Sequence, residues 1–345
     1  MNPFAKTNIV LKGYLLMINF AVVGTSKITD NFIDAAKQDA RFNLVAVYSR
    51  HQETAQVFAN KHDIEHCFTD LTRLANSDLV DAVYVASPNS FHAQQSIALL
   101  NGGKHVLCEK PVAINCAELK EMTAAAKANN VTFMEAMLVT FLPNYQQIKE
   151  HIKTLGEIRK YSAAFCQLSS RYPAYLQGEN PNTFNLSFGN GALMDIGIYP
   201  LYLAIDLFGM PTDINNQCCK LSTGVDGYGE LLLNFNQGSL HAHISYSKLS
   251  NGSNICELQG ENGYLTWQHS SLFNELTLHL NDGSSQTLTL PQTDNRMTYE
   301  LSHFIDLITS NKIESKINTW QLSQQVLSVI EQARKQQKIN YTADT

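Results

Sequence analysis

Along the first third of the chain, apolar residues come in short unbroken runs separated by stretches where they recur at helical spacing. Ile18 to Val23 is one such run, closed by Gly24; Leu44 to Tyr48, Leu79 to Ala86, His105 to Cys108 and Val131 to Met134 are others. Runs of this length between turn residues read as strands buried on both faces. Helical patterns fill the gaps: from Thr29 through Phe32, Ile33, Ala35, Ala36 and Ala40, then Gln52 to Lys61, His92 to Asn101 and Ala117 to Asn129. Strands regularly separated by helices predict a mostly parallel sheet with helices on both faces.

The texture changes after about residue 138. A helix is predicted over Phe141 to Ile152, with Pro143 in its first turn. Strand-like segments follow at Ile158–Phe165, Leu231–Phe235, Ser239–Tyr246, Asn254–Gln259, Tyr264–Trp267, Leu276–Leu280 and Gln286–Leu290. Turn residues at Asn236-Gln237-Gly238, Glu261-Asn262-Gly263 and Asn281-Asp282-Gly283 make these hairpins of a largely antiparallel sheet. One helical pattern, Asp195 to Phe208, interrupts the series. Two more, 298–309 and Trp320–Gln336, close it. The expected class is therefore α/β, with domains at 17–138 and 139–345 and the last helix packing back on the first.

With 345 residues and 44% apolar content, the chain can bury a core in each domain. A net charge of −6 and the lack of a long basic block argue against nucleic acid as a partner. Charged residues make up only 16%, which leaves room for a subunit interface. The seven cysteines form no CxxC pair and have no regularly spaced histidines, so reduced thiols of a cytoplasmic protein are expected, without a metal site. Residues 9–24 are moderately apolar, but Lys12 and Asn19 interrupt them and the run is too short to cross a bilayer. They read as a leader, with Met17 opening the folded domain.

Ligands of such a parallel sheet bind beyond the carboxyl ends of its strands, and the chemistry of this chain sits there. The first strand ends in Val23-Gly24-Thr25-Ser26-Lys27-Ile28-Thr29. Gly24 allows close approach of a pyrophosphate, Ser26 replaces the second glycine of a dinucleotide fingerprint, and Thr29 stands where Gly or Ala is usual. The second strand ends in Ser49-Arg50 instead of a carboxylate, which favours the 2′-phosphate of NADP over NAD. Pro88 and Asn89 turn the backbone after another strand. Glu109 and Lys110 end the next one, where the lysine can hold a substrate oxygen and depress the pKa of a neighbouring acid. In Gly191-Ala192-Leu193-Met194-Asp195-Ile196-Gly197-Ile198-Tyr199-Pro200, a carboxylate and a phenol stand four residues apart, on one face if a helix begins at Asp195.

These motifs together, from Met17 to the last helix, resemble the glucose–fructose oxidoreductase / inositol dehydrogenase (Gfo/Idh/MocA) family. The resemblance implies an N-terminal Rossmann dinucleotide-binding domain and a C-terminal α/β domain. The latter has a large, mostly antiparallel open sheet, through which subunits pair as homodimers or homotetramers. It also implies reversible hydride transfer between the nicotinamide of NADP (NAD is possible) and a hydroxyl or carbonyl carbon of a sugar, polyol or diol, with no metal. Gly24 and Ser26 would line the pyrophosphate, with Lys27 and Ile28 in the same motif. Asn89, Glu109 and Lys110 would line the nicotinamide end, with Pro88 and His92 beside them. Most inositol and glucose–fructose relatives have histidine four residues after the aspartate. Tyr199 instead is similar to the branch of dimeric dihydrodiol dehydrogenases and NADP-linked xylose 1-dehydrogenases, and points away from inositol dehydrogenases. Tyr199 is then the acid/base, Lys110 lowers its pKa towards neutrality, and Asp195 orients it or the substrate. Arg171, Tyr172, Tyr175, Asn185, His243 and Tyr246 are candidate substrate contacts. An NADP-binding sensor without turnover is the alternative.

Overall fold

In this computed structural model, residues 17–344 are described; the expected leader lies outside them. Six strands form the first sheet: β1 (Ile18–Val23), β2 (Phe42–Tyr48), β3 (His66–Phe68), β4 (Ala82–Val85), β5 (His105–Glu109) and β6 (Phe133–Ala136). Their order is β3-β2-β1-β4-β5-β6, and every pairing is parallel. The connecting helices are α1 (Lys27–Ala36), α2 (Gln52–His62), α3 (Leu71–Ala75), α4 (Asn89–Asn101) and α5 (Cys116–Asn129). Because the chain starts in the middle and winds outward both ways, the loops after β1 and β4 diverge and leave a crevice between them. The pattern did not announce β3 and α3, of three and five residues, which are too short to carry a period.

The second half opens with α6 (Pro143–His151), which has Pro143 in its first turn, then β7 (Ile158–Cys166), α7 (Tyr172–Leu176) and α8 (Ile198–Phe208). Next come β8 (Asp213–Lys220), β9 (Asp226–Phe235), β10 (Leu240–Ser247), β11 (Ile255–Gly260), β12 (Gly263–Gln268), β13 (Asn274–Leu280) and β14 (Ser285–Thr287). They form one eight-stranded sheet with order β14-β13-β12-β11-β7-β10-β9-β8, antiparallel except where β7 and β10 run parallel. Strand β8, Asp-Ile-Asn-Asn-Gln-Cys-Cys-Lys, is too polar for the apolar pattern to reveal. On β9, Leu231, Leu233 and Phe235 face inward, and from β10 Leu240, Ala242 and Ile244 join them. Against this layer α8 presses Leu201, Leu203, Ala204 and Ile205. Each fully buried leucine, isoleucine or phenylalanine among them contributes roughly 1.5–3 kcal/mol. The apolar stretch Leu186–Phe208 is long enough to span a bilayer, yet 72% of its most apolar window is buried in this core, as for a core helix of a globular fold.

Two helices from the end of the chain, α9 (Met297–Thr309) and α10 (Trp320–Gln336), cross back to the first sheet. Phe304 of α9 meets Phe20 of β1 edge-on at 6.2 Å. Trp320 of α10 donates its indole N–H to the Phe133 carbonyl at 2.9 Å. Helix α10 also touches α8, where the Tyr202 and Ser323 hydroxyls lie 3.3 Å apart. Where the pattern led us to expect the last helix alone, two helices tie the halves together. That fixes the second sheet relative to the crevice of the first.

Candidate active site

At the end of β1, Gly24 has φ +106°, and a Cβ there would lie 2.5 Å from the Ala86 carbonyl oxygen at the end of β4. Only glycine lets the two strand ends approach this closely. Ser26 occupies the N-cap of α1 without a side-chain bond to the helix amides, so these amides stay available to an anion. The cleft above them is lined by Gly24, Ser26, Ser49, Arg50, Pro88 and Phe91, and it continues into a second one lined by Ser26, Ile28, Asn89, Lys110, Asp195 and Tyr199. Arg50 lies over the Phe91 ring at 5.2 Å. A dinucleotide fits this set: an open helix N-terminus for the pyrophosphate, a stacked guanidinium at the ribose end, and polar groups at the other end. Of the expected cofactor residues, Lys27 is exposed on the first turn of α1 and lines neither cleft. His92 is buried, and both its ring nitrogens face carbonyls, those of Pro111 at 2.9 Å and Ser87 at 2.8 Å. It therefore braces the two loops rather than offering a ring nitrogen to a ligand. The Asn89 amide is likewise engaged, donating to the Gly189 carbonyl at 3.0 Å and to Asn190 Oδ1 at 2.9 Å across the crevice.

The Asp195–Tyr199 pair meets Lys110 at the inner end. Leu193–Gly197 forms a π-helical turn that runs into α8, so Asp195 sits within helical backbone rather than capping it. In a π turn the donor for the Asp195 carbonyl is residue 200, and Pro200 has no N–H. The Lys110 ammonium supplies that bond at 2.6 Å, and a second to Asp195 Oδ1 at 3.0 Å. The same ammonium lies 5.0 Å from the centre of the Tyr199 ring. The other carboxylate oxygen, Oδ2, pairs with Lys248, which the sequence reading missed. Its signal was present: Lys248 extends the even-numbered inward face of β10, Leu240, Ala242, Ile244 and Tyr246.

These charges set the protonation states. Burial pushes the Asp195 carboxyl up, but Lys110 and Lys248 outweigh it and hold the group ionised, well below the usual range. Burial disfavours the Lys110 charge, yet Tyr199, Asp195 and Glu109 more than restore it. Burial raises Tyr199 to about 12; Lys110 pulls it down, while Glu109 and Asp195 push it further up. The expected fall towards neutrality is thus reversed, and the phenol is a proton donor at neutral pH. Glu109 is buried, accepts the Tyr84 hydroxyl at 2.5 Å, and is raised by that burial.

A larger polar cleft of about 750 Å³ opens beside Asp195, lined by Ser169, Arg171, Asn182, Thr183, Ile196 and Lys248. Of the expected substrate contacts only Arg171 faces it. The hydroxyl of Tyr175 engages Ser222 at 3.0 Å, and Tyr172 stacks on Tyr175. Asn185 caps a short turn through the Ser187 amide. His243 pairs with Glu230 on the outer face of the second sheet, and Tyr246 is buried with its hydroxyl on Asn216.

The whole architecture is found in known proteins. The oxidoreductase family, NAD-binding Rossmann fold, of the Gfo/Idh/MocA group matches residues 18–137, and the Gfo/Idh/MocA C-terminal domain matches residues 145–266. The scyllo-inositol 2-dehydrogenase (NADP(+)) IolU of Bacillus subtilis is 44% identical over 328 residues, covering 95% of this chain and 99% of that protein. The human trans-1,2-dihydrobenzene-1,2-diol dehydrogenase is 27% identical over 348 residues, covering 95% and 99%. The 44% identity to a protein named as an inositol dehydrogenase does not bear out the dihydrodiol branch that Tyr199 had suggested. Among solved structures, the 3-ketoreductase KijD10 of Actinomadura kijaniata, in complex with NADP and TDP-benzene, shares the fold with a TM-score of 0.80 at 23% identity, covering 92% of this chain and 97% of that one. Two matching family domains and a relative of 44% identity over nearly the full length show that this chain belongs to the Gfo/Idh/MocA family of NAD(P)-dependent oxidoreductases acting on CH–OH and carbonyl groups.

Proposed function

We propose that the protein is an NADP-linked dehydrogenase of a ring polyol, a cyclitol first of all, with Tyr199 as proton carrier, Lys110 as the cation at the reacting oxygen and Asp195 as the group that orients them. The observation that carries this reading is the meeting of Lys110, Asp195 and Tyr199 at the inner end of the dinucleotide crevice. The nicotinamide, when bound, supplies or accepts the hydride. The chain's own residues handle the rest. Tyr199 donates its proton to a carbonyl oxygen in reduction and takes it back in oxidation. Lys110 stabilises negative charge on that oxygen, and Asp195 fixes the ammonium through two bonds. Arg50 at the end of β2 supports NADP, and the relative named for scyllo-inositol is also named for NADP(+).

A diol or aldose substrate is the second reading, favoured by the Asp-Ile-Gly-Ile-Tyr motif alone. The sensor alternative gains no support from an ionised, bridged Lys110–Asp195 pair placed against a phenol. We also propose that copies of the chain pair through the outer face of the second sheet, where Tyr228 (47% exposed) and Leu232 (52%) of β9 and Tyr264 (40%) of β12 stand exposed among polar side chains. Seven free thiols suit a reducing compartment. The test is nicotinamide absorbance with NADP and NAD separately over inositols, aldoses and trans-diols. Turnover of inositols with NADP is expected; turnover of none of the three classes sinks the proposal.

A further inference from the structure

Lys248 is buried (7% exposed), far more than a surface lysine, and among the described residues Asp195 is the only hydrogen-bond partner of its ammonium. The backbone holds it firmly, with its N–H on the Gly227 carbonyl at 2.9 Å and its carbonyl accepting the Ser169 amide at 2.9 Å. An ammonium carries three donors, and Asp195 takes one. The side chain lines the 750 Å³ polar cleft, whereas Lys110 lines the nicotinamide end, so Asp195 stands between two cations that face two adjoining spaces. A stability argument alone does not explain this arrangement. Lys110 alone already neutralises Asp195, and a second buried ammonium adds a desolvation cost that its one bond to Asp195 offsets only in part.

From this geometry, and resting on the dehydrogenase reading above, we propose that Lys248 is a specificity-determining residue that binds the hydroxyl on the carbon next to the reacting one, so that the site selects vicinal diols. The reacting oxygen lies at Lys110 and Tyr199. The neighbouring hydroxyl accepts a bond from Lys248 and donates one to Asp195 Oδ2. Two adjacent hydroxyls thus meet one carboxylate flanked by two ammoniums, and each oxygen finds both an acceptor and a donor. A substrate lacking the second hydroxyl leaves the Lys248 ammonium without that partner, the kind of mismatch that discriminates strongly between analogues.

The test compares trans-cyclohexane-1,2-diol with cyclohexanol, using NADP, in the wild-type enzyme and in Lys248→Met and Lys248→Arg. NADP binding is titrated by fluorescence in each. For the wild type we expect kcat/KM for the diol to exceed that for the mono-ol by at least ~30-fold. Lys248→Met reduces the ratio to within about threefold, through the KM of the diol, with NADP binding retained, and Lys248→Arg recovers part of the ratio. A ratio that survives Lys248→Met overturns the assignment while leaving the dehydrogenase reading intact. So does equal use of both alcohols by the wild type, or a loss of NADP binding alongside the ratio. If the wild type turns over none of these alcohols, inositols or aldoses, the dehydrogenase reading falls and this assignment falls with it.

Discussion

Asp226 at the start of β9 accepts the backbone N–H of Leu193 at 2.7 Å, from beneath the turn that carries Asp195. The contact exists because residue 191 is glycine. Gly191 has φ +150°, and a Cβ there would lie 2.1 Å from Asp226 Oδ1. Gly191→Ala therefore forces the carboxylate off the turn. We predict a loss of roughly 2–4 kcal/mol in stability from backbone strain and the unpaired buried amide. The kcat should fall with it, since the turn aims Asp195 and Tyr199. Urea unfolding and steady-state rates check both, and unchanged values in each would show that the turn holds itself.

The same carboxyl gives stability a pH signature. Burial raises Asp226 to about 6 from an ordinary 3.8, against the pull of the Leu193 amide. Between about pH 4 and 6 the folded chain keeps a proton that the unfolded chain has released. The group's contribution to stability is therefore largest below about pH 4, and it is lost as pH rises through that window, to the extent of about 3 kcal/mol. Asp226→Asn keeps an oxygen for the Leu193 amide and cannot ionise. Its stability relative to wild type is expected to improve steadily from pH 4 to 6; a difference that does not change with pH would refute the assignment.

Tyr199 gives activity a signature of its own. If Tyr199 is the proton carrier proposed above, a phenol near 12 leaves the donor for reduction protonated across the neutral range, whereas oxidation needs the phenolate. We predict that oxidation rates climb with pH well into the alkaline range while reduction rates stay level. Tyr199→Phe should lower kcat about 10²–10⁴-fold and abolish the slope. Asp195→Asn removes one of the charges that raise the phenol, so the rise in whatever activity remains should shift to lower pH.

Much of this was legible in the chain. Parallel strands buried on both faces leave continuous apolar runs, so β1, β2, β4 and β5 could be read directly, and the residues at their ends followed. Gly24, Ser26, Arg50, Lys110, Asp195 and Tyr199 all reach the crevice or its inner end. Partners set by tertiary structure were not legible. Lys248 reaches Asp195, and Asp226 reaches Leu193, because β9 and β10 pair beneath the turn, a relationship that no local spacing encodes. The reading picked His243 and Tyr246 on β10, and neither lines the polar cleft. His243 points to the outer face, Tyr246 fills the core, and the next inward position carries the charge.

Glu300 on α9 shows the opposite of a satisfied polar group. It is fully buried, neither carboxyl oxygen has a hydrogen-bond partner, and burial together with Glu109 raises it well above the usual range. Replacing an unsatisfied buried polar group with an apolar one of similar length removes a desolvation cost. Glu300→Met should stabilise the fold by about 1–3 kcal/mol. A higher urea midpoint with unchanged slope is the expected result; a lower one would mean that the carboxyl has a function to serve.

On the proposed reading, cofactor choice turns on Arg50, which lies against Phe91. The guanidinium lies 5.2 Å from the ring centre, at the end of β2 where a carboxylate would instead engage the ribose hydroxyls of NAD. On the proposed reading, removing the side chain takes away the charge that would meet the 2′-phosphate, a group that NAD lacks. Arg50→Ala is therefore expected to raise the KM for NADP about 10–100-fold and that for NAD by less than about threefold. Phe91→Ala leaves the charge but frees its position, so its effect on NADP should be smaller, about 3–10-fold, as for a lost cation–π contact. Kinetics with each cofactor at saturating substrate separate these outcomes. Equal losses for NADP and NAD in Arg50→Ala would mean that Arg50 only shapes the adenine end of the cleft and does not read the phosphate.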